Sequence, residues 1–265
     1  MRKRKPTFIL VIVACVFLVL GIGILSVGVV QGGNVHFKQQ RFGPVSTVVF
    51  TDKKASKNND TYTSDNKVTS IELDADLGDI TFEKGDEFSV EFKNFDDGEV
   101  SFKDDNGDIT IDTGVKSISI SLAGFDNADR RIIVTVPESC KEIEIDANLG
   151  SVKLSNLTLD KLDVKVDLGS IDATGINIRK GDFNLNLGDL DFEGNVSEEL
   201  KADADLGSID ILLNKTRSDY SYDLKTDLGN VSIEGSSHHE YKDSNGSKPL
   251  IKGKASLGDI DIDFK

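Results

Sequence analysis

The sequence contains no tryptophan, and only two cysteines and four prolines occur among its 265 residues. Without tryptophan, sugar binding through aromatic platforms has little support. Cys15 lies in an apolar run and Cys140 stands alone in the remainder, so no intrachain disulfide is expected. Only Pro137 and Pro249 follow residue 44, which favours long strands.

Basic residues are also scarce. There are 46 acidic against 31 basic side chains, for a formal net charge of −15, and four of the basic residues (Arg2, Lys3, Arg4, Lys5) precede an apolar run. The rest of the chain is therefore strongly acidic. Such a field repels nucleic acid and attracts cations and cationic peptides, so a nucleic-acid-binding function is excluded.

The apolar run extends from Phe8 to Val30 without a charge. As a helix it is long enough to cross the ~30 Å hydrocarbon core of a bilayer. The basic cluster before it places the N-terminus in the cytoplasm by the positive-inside rule. We therefore expect a cytoplasmic tail at 1–6, a single-pass transmembrane anchor at 7–30, a juxtamembrane linker at 31–67 and an extracellular domain at 68–265.

Two alternatives to an uncleaved anchor remain open. A cleaved signal peptide would have a shorter apolar core and an A-x-A-like site, and the sequence has neither. The tetrapeptide ending in Cys15 hints at a lipidation site, but apolar sequence continues for fifteen residues beyond it. In the linker, residues 52–67 are polar and read as a flexible spacer.

A short motif recurs from residue 76 onward, with Asp, Asn or Ser, then Leu-Gly, one polar residue, and Ile, Val or Leu. Four consecutive copies are 19 residues apart, the next follows after 22 and the last after 29. A period with insertions toward one end indicates stacked structural repeats. Residues 106–109 resemble a degraded copy. The motif glycines are Gly78, Gly150, Gly169, Gly188, Gly207, Gly229 and Gly258.

The segments around the motif have the period of strands. Leu162, Val164, Val166 and Leu168 alternate with charged residues. In Leu168-Gly169-Ser170-Ile171 the apolar residues are three apart, which breaks the alternation. If both still face inward, the chain turns a corner between them, which glycine permits. We therefore predict an all-β fold, a parallel β-solenoid (β-helix) of about 19-residue coils, with right-handed coils favoured and left-handed ones open.

Polar residues beside Leu-Gly fit such stacking. No copy from residue 148 onward carries an acid on both sides of Leu-Gly, and Asn or Ser often replaces one. Carboxylates one coil apart would repel by roughly 1 kcal/mol in water. The corner glycines are thus structural positions, and no catalytic, cofactor-binding or metal-binding residue is predicted.

Calcium binding and polysaccharide cleavage fit the sequence less well than this interpretation. Calcium-binding β-rolls use a glycine-rich nonapeptide with several converging oxygens, and here each corner offers about one carboxylate. Polysaccharide cleavage would need a distinguished acid cluster, whereas acids are spread along every strand. His36 is near the membrane segment, and His238 and His239 fall in a predicted loop at 235–247. Two acid sets stand out, Asp203 with Asp205 and Asp210, and the pair Asp261 and Asp263, and they are most simply the outward half of alternating strands.

The chain stops in a strand pattern, with no capping segment after it. An uncovered solenoid end is a template for strand pairing, so Ile260–Phe264 is a candidate for end-to-end pairing with a partner strand. The alternative is that Asp261, Asp263 and Lys265 act only as charged protection against such pairing.

The repeated corner at about 19-residue spacing resembles the bacterial "putative adhesin" domain-of-unknown-function family over residues 68–265. With its anchor, the whole chain resembles LiaG-type envelope proteins of Gram-positive bacteria. The resemblance implies a β-solenoid ectodomain and an association with envelope-stress operons that respond to cell-wall antibiotics and cationic peptides. It carries over no catalytic residues and no cofactor. The expected function is a non-catalytic binding or regulatory surface in the cell envelope; the alternatives are a surface adhesin and a polysaccharide-active enzyme.

Overall fold

The computed structural model describes residues 35–38, 57–96, 98–114, 117–120, 130–243 and 246–265. The chain divides into two units, one of residues 1–54 and 116–128 and one of residues 55–115 and 129–265. The predicted anchor lies outside the described residues, and among those described no helix is long and apolar enough to cross a membrane. In the first unit, the described part is a two-stranded antiparallel ribbon.

The described chain is all β apart from one 3-10 turn at Arg217–Asp219. In chain order the strands are β1 (Val35–Lys38), β2 (Lys57–Thr63), β3 (Ser70–Ala75), β4 (Asp79–Lys84), β5 (Ser89–Asp96), β6 (Val100–Asp105), β7 (Asp108–Thr113), β8 (Ser117–Ile120), β9 (Arg131–Val136), β10 (Glu142–Leu149), β11 (Val152–Ser155), β12 (Thr158–Leu168), β13 (Ile171–Leu187), β14 (Leu190–Leu206), β15 (Ile209–Leu213), β16 (Ser221–Leu228), β17 (Val231–Ile233), β18 (Ser236–His238), β19 (Glu240–Asp243), β20 (Leu250–Leu257) and β21 (Ile260–Phe264).

The second unit is a parallel β-solenoid, as the period-two pattern predicts. In β12, Leu162, Val164 and Val166 are at most 1% exposed, while Lys165 between them points to solvent. Burial of these alternating apolar side chains drives the coil to close on itself. The strand pairs in parallel, residue for residue, with its equivalents in β10 and β13.

A regular coil is bent at three places. Between the Leu-Gly corners, β13 runs from Ile171 to Leu187 with register shifts at Thr174/Ile176 and Ile178/Lys180. Gly175, at the first shift, has φ +70°. Each coil therefore has two longer faces joined by the Leu-Gly corner, and a short third segment that returns the chain to the next coil.

The coils do not stack in chain order. On the face before the corner the order is β7, β3, β10, β12, β13, β14, β20, β16, and on the face after it β9, β4, β11, β13, β14, β15, β21, β17. The C-terminal coil of β20 and β21 is thus inserted between two earlier coils.

This order corrects the expectation for the C-terminus. Ile260–Phe264 was predicted as an uncovered end available for end-to-end pairing, but β21 pairs in parallel with β15 on one side and with β17 on the other. Its backbone groups are already used inside the sheet. The prediction was wrong because it assumed that the last strand in the chain is also the last in the stack.

Antiparallel strands cover the two ends of the solenoid. At one end β18 pairs with β17 and β19 with β16, so residues 235–247, predicted as a loop, hold two capping strands. At the other end β5 pairs with β9, β6 with β7 and β2 with β5. The strand β2 falls within the range predicted as linker. Residues 106–109 are not a corner: Asn106 and Gly107 have φ +57° and +99° in the β6–β7 hairpin turn.

Candidate binding surface

The motif glycines lie directly above one another along one edge of the solenoid. All seven have φ between +135° and +153°, a region that residues with a Cβ rarely adopt. The Gly169 N–H donates to Leu187 O in the next coil at 3.0 Å, and the same bond recurs at Gly78, Gly150, Gly188, Gly207 and Gly258. In spatial order the glycines are Gly78, Gly150, Gly169, Gly188, Gly207, Gly258 and Gly229.

Close approach of the coils is a second reason for glycine at these positions. A Cβ placed on Gly188 would overlap the carbonyl oxygen of Gly169 in the adjacent coil. Backbone cannot move aside as the end of a flexible side chain can. The corner therefore needs glycine both for its torsion angle and for the space between coils.

The leucine of the motif faces outward, which corrects the prediction that its side chain faces the core. Val166 is the last buried residue of β12, and both Asp167 and Leu168 are turned to solvent before Ile171 re-enters the core. In the pairing of β12 with β13, Val166 and Leu168 have partners in β13 but Asp167 has none. The strand bends at Asp167, so Leu168, which strict alternation would turn inward, points to solvent. The corner is thus four residues long, from the Asp to the residue after Gly.

These outward leucines form a continuous apolar line, which we call the leucine ridge. Parallel pairing aligns each with its neighbours, and a coil spacing of ~4.8 Å places their side chains within van der Waals reach. They are 43–67% exposed. Among the described residues, no other large hydrophobic side chain is exposed. In spatial order they are Leu149, Leu168, Leu187, Leu206, Leu257 and Leu228.

One column of polar residues precedes the ridge, and it alternates between acid and neutral. Asn148 Nδ2 donates to Asp76 Oδ1, and Asn186 Nδ2 donates to Asp167 Oδ1, both at 2.8 Å. Each carboxylate therefore has an amide or hydroxyl neighbour instead of a second carboxylate. In spatial order the column is Asp76, Asn148, Asp167, Asn186, Asp205, Ser256 and Asp227.

A second column follows the glycines, and its acids cap backbone groups. Oδ1 of Asp189 accepts the Ser208 N–H at 2.8 Å, and Oδ1 of Asp259 accepts the Asn230 N–H at 2.7 Å. Asp79 does the same for Ser151. Neither column contains Lys or Arg. Together they hold seven carboxylates, of which five border the leucine ridge and two, Asp76 and Asp79, flank the half-buried Leu77 one coil beyond it. In spatial order this column is Asp79, Ser151, Ser170, Asp189, Ser208, Asp259 and Asn230.

The outer face before the corner is different, because cations balance its acids. Lys165 Nζ lies 3.0 Å from Asp146 Oδ2, and Lys201 Nζ lies 2.9 Å from Asp203 Oδ2 and 3.3 Å from Asp182 Oδ1. Hydrogen bonds to these carboxylates raise the pKa of both lysines. Two corner carboxylates also lie near lysines of this face, with Lys165 Nζ 3.9 Å from Asp167 Oδ1 and Lys225 Nζ 3.9 Å from Asp227 Oδ1. Acids nevertheless outnumber bases along the corner and on the face after it.

On the face after the corner, four aspartates stand in adjacent coils: Asp172, Asp191, Asp210 and Asp261. Partial burial, followed by repulsion from Asp191 and Asp261, raises the pKa of the Asp210 carboxyl. Among the described residues, no group of three or more His, Cys, Asp or Glu has the arrangement of a metal site. Lys153 Nζ lies 3.7 Å from Asp172 Oδ2 at one end of this column, and repulsion between carboxylates is strongest around Asp210.

Of the acid sets noted in the sequence, the pair Asp261 and Asp263 stays together, lining the same shallow depression on the face after the corner. The other set and the histidines are dispersed. Asp203 pairs with Lys201, Asp205 borders the ridge and Asp210 lies on the other face, so the three do not converge. Of the two histidines in the cap, His238 packs on the Tyr241 ring with centroids 5.2 Å apart, and His239 is exposed. His36 lies in β1.

Cys140 is buried and has a raised pKa. Its side chain is 1% exposed, and burial raises the pKa of the thiol to about 11. A thiol in this state holds little thiolate at neutral pH and is a poor nucleophile. Cys140 is therefore a core residue.

Sequence reasoning missed a buried charge cluster at the end of the solenoid near Gly78. Arg130 and Glu99 are each 4% exposed, and Arg130 Nη1 lies 2.9 Å from Glu99 Oε2. The guanidinium also lies 5.2 Å from the centre of the Phe95 ring. Arg130 O accepts the Asp79 N–H, so this residue stands where a preceding corner would be. No periodic signal in the sequence marks it.

The chain is similar in sequence to one protein family and has distant structural similarity to bacterial proteins of known structure. Residues 65–263 match the sequence profile of the family described as Toastrack DUF4097. A "putative cell adhesion protein" from Clostridium sporogenes, known from a crystal structure, is 18% identical with a TM-score of 0.52, and the match covers 79% of this chain and 100% of that one. A "putative adhesin" from Bacteroides fragilis is 14% identical, with a TM-score of 0.37, and covers 80% and 99%. No curated protein matches the sequence.

Proposed function

The chain belongs to the Toastrack DUF4097 family, and we propose that it is a non-catalytic binding protein of the cell envelope whose ligands are cationic. The observation that carries the proposal is the pair of acidic columns at the corner, which hold seven carboxylates and no Lys or Arg; two lysines of the adjacent face, Lys165 and Lys225, lie 3.9 Å from Asp167 and Asp227 and leave an excess of negative charge. Unbalanced charge of one sign attracts ligands of the other sign and speeds their association. The apolar run Phe8–Val30 after four basic residues supports an anchored protein with its solenoid outside the cell.

Binding of a cationic probe tests the ligand class. The full-length chain in nanodiscs of zwitterionic lipid is titrated with a fluorescent, unstructured peptide of Lys, Ser and Gly, with empty nanodiscs as the control. Binding at low ionic strength that weakens as salt rises is the expected result, because exposed charges are screened beyond ~10 Å at 0.1 M salt. Absence of binding at low salt would remove the proposal.

Membrane topology needs a separate experiment. In a Cys15→Ser background, Ser237→Cys puts a thiol in the exposed β18 strand, and a membrane-impermeant maleimide is added to intact cells. Labelling of the intact cells is expected if the solenoid is outside. Cys140 is an internal control, because it should react only after unfolding. Labelling only after lysis would place the domain inside the cell.

A regulatory role in the envelope-stress response follows from the LiaG-like resemblance. Deletion of the protein should then change the induction of that response by cell-wall antibiotics. A histidine kinase and response regulator encoded beside it would support this role.

An adhesin is the second candidate, because the Clostridium sporogenes protein with a similar fold is described as a cell adhesion protein. It predicts that deletion changes attachment and leaves stress signalling intact. The non-catalytic assignment is tested by screening the protein on envelope glycans, where turnover that one Asp replacement abolishes would contradict it.

A further inference from the structure

The leucine ridge is the least expected feature of this acidic surface. Six leucines at the same repeat position leave 43–67% of each side chain in water, although the core beside them is closely filled. Exposed apolar patches bordered by polar residues commonly mark interaction sites. Packing does not require leucine here, because Gly provides the turn and the following Ile or Val re-enters the core.

We propose that the leucine ridge is the docking site of a cationic amphipathic α-helix from a partner peptide. Such a helix would lay its apolar face on the leucines and its basic residues against the two acidic columns. This inference rests on the proposed function, since both require a cationic partner, and it adds the site and the form of the ligand.

The dimensions of the ridge suit a helix. Six leucines at ~4.8 Å span about 24 Å, which is the length of a helix of roughly 16 residues at 1.5 Å per residue. The ~4.8 Å repeat is close to the 5.4 Å pitch of an α-helix, whereas same-face side chains of an extended strand are ~6.8 Å apart. Successive turns of a helix lying along the ridge could therefore place one apolar side chain near each leucine.

The charge pattern fits the same ligand. In the column before the ridge the carboxylates occur in every second coil, ~9.6 Å apart, and two helical turns are ~10.8 Å. Lys or Arg seven residues apart on the flank of a helix would meet Asp167, Asp205 and Asp227 in succession. A second copy of this chain would instead oppose acid with acid, and an anionic lipid surface would be repelled in the same way.

Two peptides and a ridge variant test the inference. The first peptide is a 16-residue helix with Leu on one face and Lys on its flanks; the second is its scrambled sequence with no amphipathic period. Titrated into the full-length protein in zwitterionic nanodiscs, the first should bind at least about tenfold more tightly than the second. The triple variant Leu168→Gln, Leu187→Gln, Leu206→Gln should remove that advantage. A triple Leu→Thr variant, with a strand-favouring residue, repeats the test if the Gln variant melts early.

A charge-matched pair of variants separates the ridge from general attraction. Replacing the bordering Asp167, Asp189 and Asp205 by Asn should weaken the amphipathic peptide about tenfold. Replacing Asp172, Asp191 and Asp261 on the neighbouring face removes the same charge and should have a much smaller effect. Equal effects of the two variants would overturn the ridge as the site.

The outcomes distinguish this inference from the proposed function. If neither the amphipathic nor the unstructured lysine peptide binds at low salt, both fail. If the lysine peptide binds but the amphipathic peptide ignores the ridge variants, only the docking site fails. Another occupant would also overturn it: a dimer that the Leu→Gln variant dissolves would assign the ridge to a second copy of the chain.

Discussion

Asp205 and Asp227 hold the same position in consecutive copies of the motif, yet in the structure the coil of Ser256 lies between them. In chain order the two carboxylates would stand one coil apart. Insertion of the C-terminal coil separates them and restores the alternation of acid and neutral residues along the whole column. The order of the coils and the distribution of charge are thus consistent with each other.

Ser256→Asp should destabilise the fold through charge. It would place three carboxylates in adjacent coils, and each new pair costs about 1 kcal/mol at close range in water. We expect a loss of about 1–2 kcal/mol in the free energy of unfolding at low salt, falling at 1 M NaCl because exposed charges are screened. Denaturant unfolding at two salt concentrations measures it. Ser237→Asp, in an exposed capping strand, is the control, and a loss that salt does not change would contradict the explanation.

Gly188→Ala should destabilise the solenoid by about 3 kcal/mol, combining backbone strain with overpacking. Gly188 has φ +144°, and a Cβ there would overlap the Gly169 carbonyl oxygen. Gly246→Ala is the matched control, since a Cβ at Gly246 meets nothing within 4 Å, and its effect should stay within about 0.5 kcal/mol. Equal melting temperatures for the two variants would show that the corner does not need glycine.

Replacing one member of the buried Arg130–Glu99 pair should lower the free energy of unfolding strongly, whereas replacing both should lower it little. Glu99→Leu alone leaves a guanidinium buried with Asp96 at 3.8 Å as its remaining ion-pair partner, and should cost about 3–5 kcal/mol. Arg130→Met alone should cost a similar amount, because it leaves the carboxylate buried. The double variant should cost much less than the sum. A double-mutant cycle by denaturant unfolding measures the coupling, and strictly additive losses would refute it.

Asp210→Asn should stabilise the fold at neutral pH and not at low pH. Repulsion and partial burial raise the pKa of this carboxyl in the folded state, so the fold loses stability as pH rises from the unfolded pKa through the folded one. Above that window the penalty is complete, and Asn removes it. Because the group is partly exposed, solvent screening limits the gain to about 0.5 kcal/mol.

Thermal unfolding at pH 7 and pH 3 compares Asp210→Asn with the parent protein. Asp65→Asn, in an exposed loop, controls for the general loss of one negative charge. A gain at pH 3 equal to that at pH 7 would contradict the electrostatic cause.

The local structure of the coils was predictable because the burial of apolar side chains dominates it. The period-two pattern around Leu162 and Val166 leads to strands, and the Leu-Gly step leads to stacked turns. The direction of Leu168 was not predictable from hydrophobicity alone. An apolar residue three positions before another is ordinarily placed inside, whereas here the chain bends at Asp167 and exposes the leucine.

The charges beside the Leu-Gly motif carry a signal for the order of the coils, but that signal is visible only when stacking orders other than the chain order are compared. Asp205 and Asp227 would be neighbours in a sequential stack, and only a neutral copy between them relieves the repulsion; Ser256 is such a copy. The capping strands carried weaker signals, since residues 235–247 lack apolar alternation and owe their structure to pairing with β16 and β17. Arg130 and Glu99 gave no local signal because their pairing depends on tertiary contact.

The inserted position of the last coil constrains how the chain acquires its structure during synthesis. Strands β16 and β17 leave the ribosome before β20 and β21, but they cannot reach their final neighbours until residues 250–264 are available to fill the gap. Assembly therefore cannot proceed as simple vectorial zippering from the first coil to the last. The C-terminal coil is thus needed to complete the stack. A chain truncated before it would leave β15 and β17 without β21, the strand that pairs with both of them.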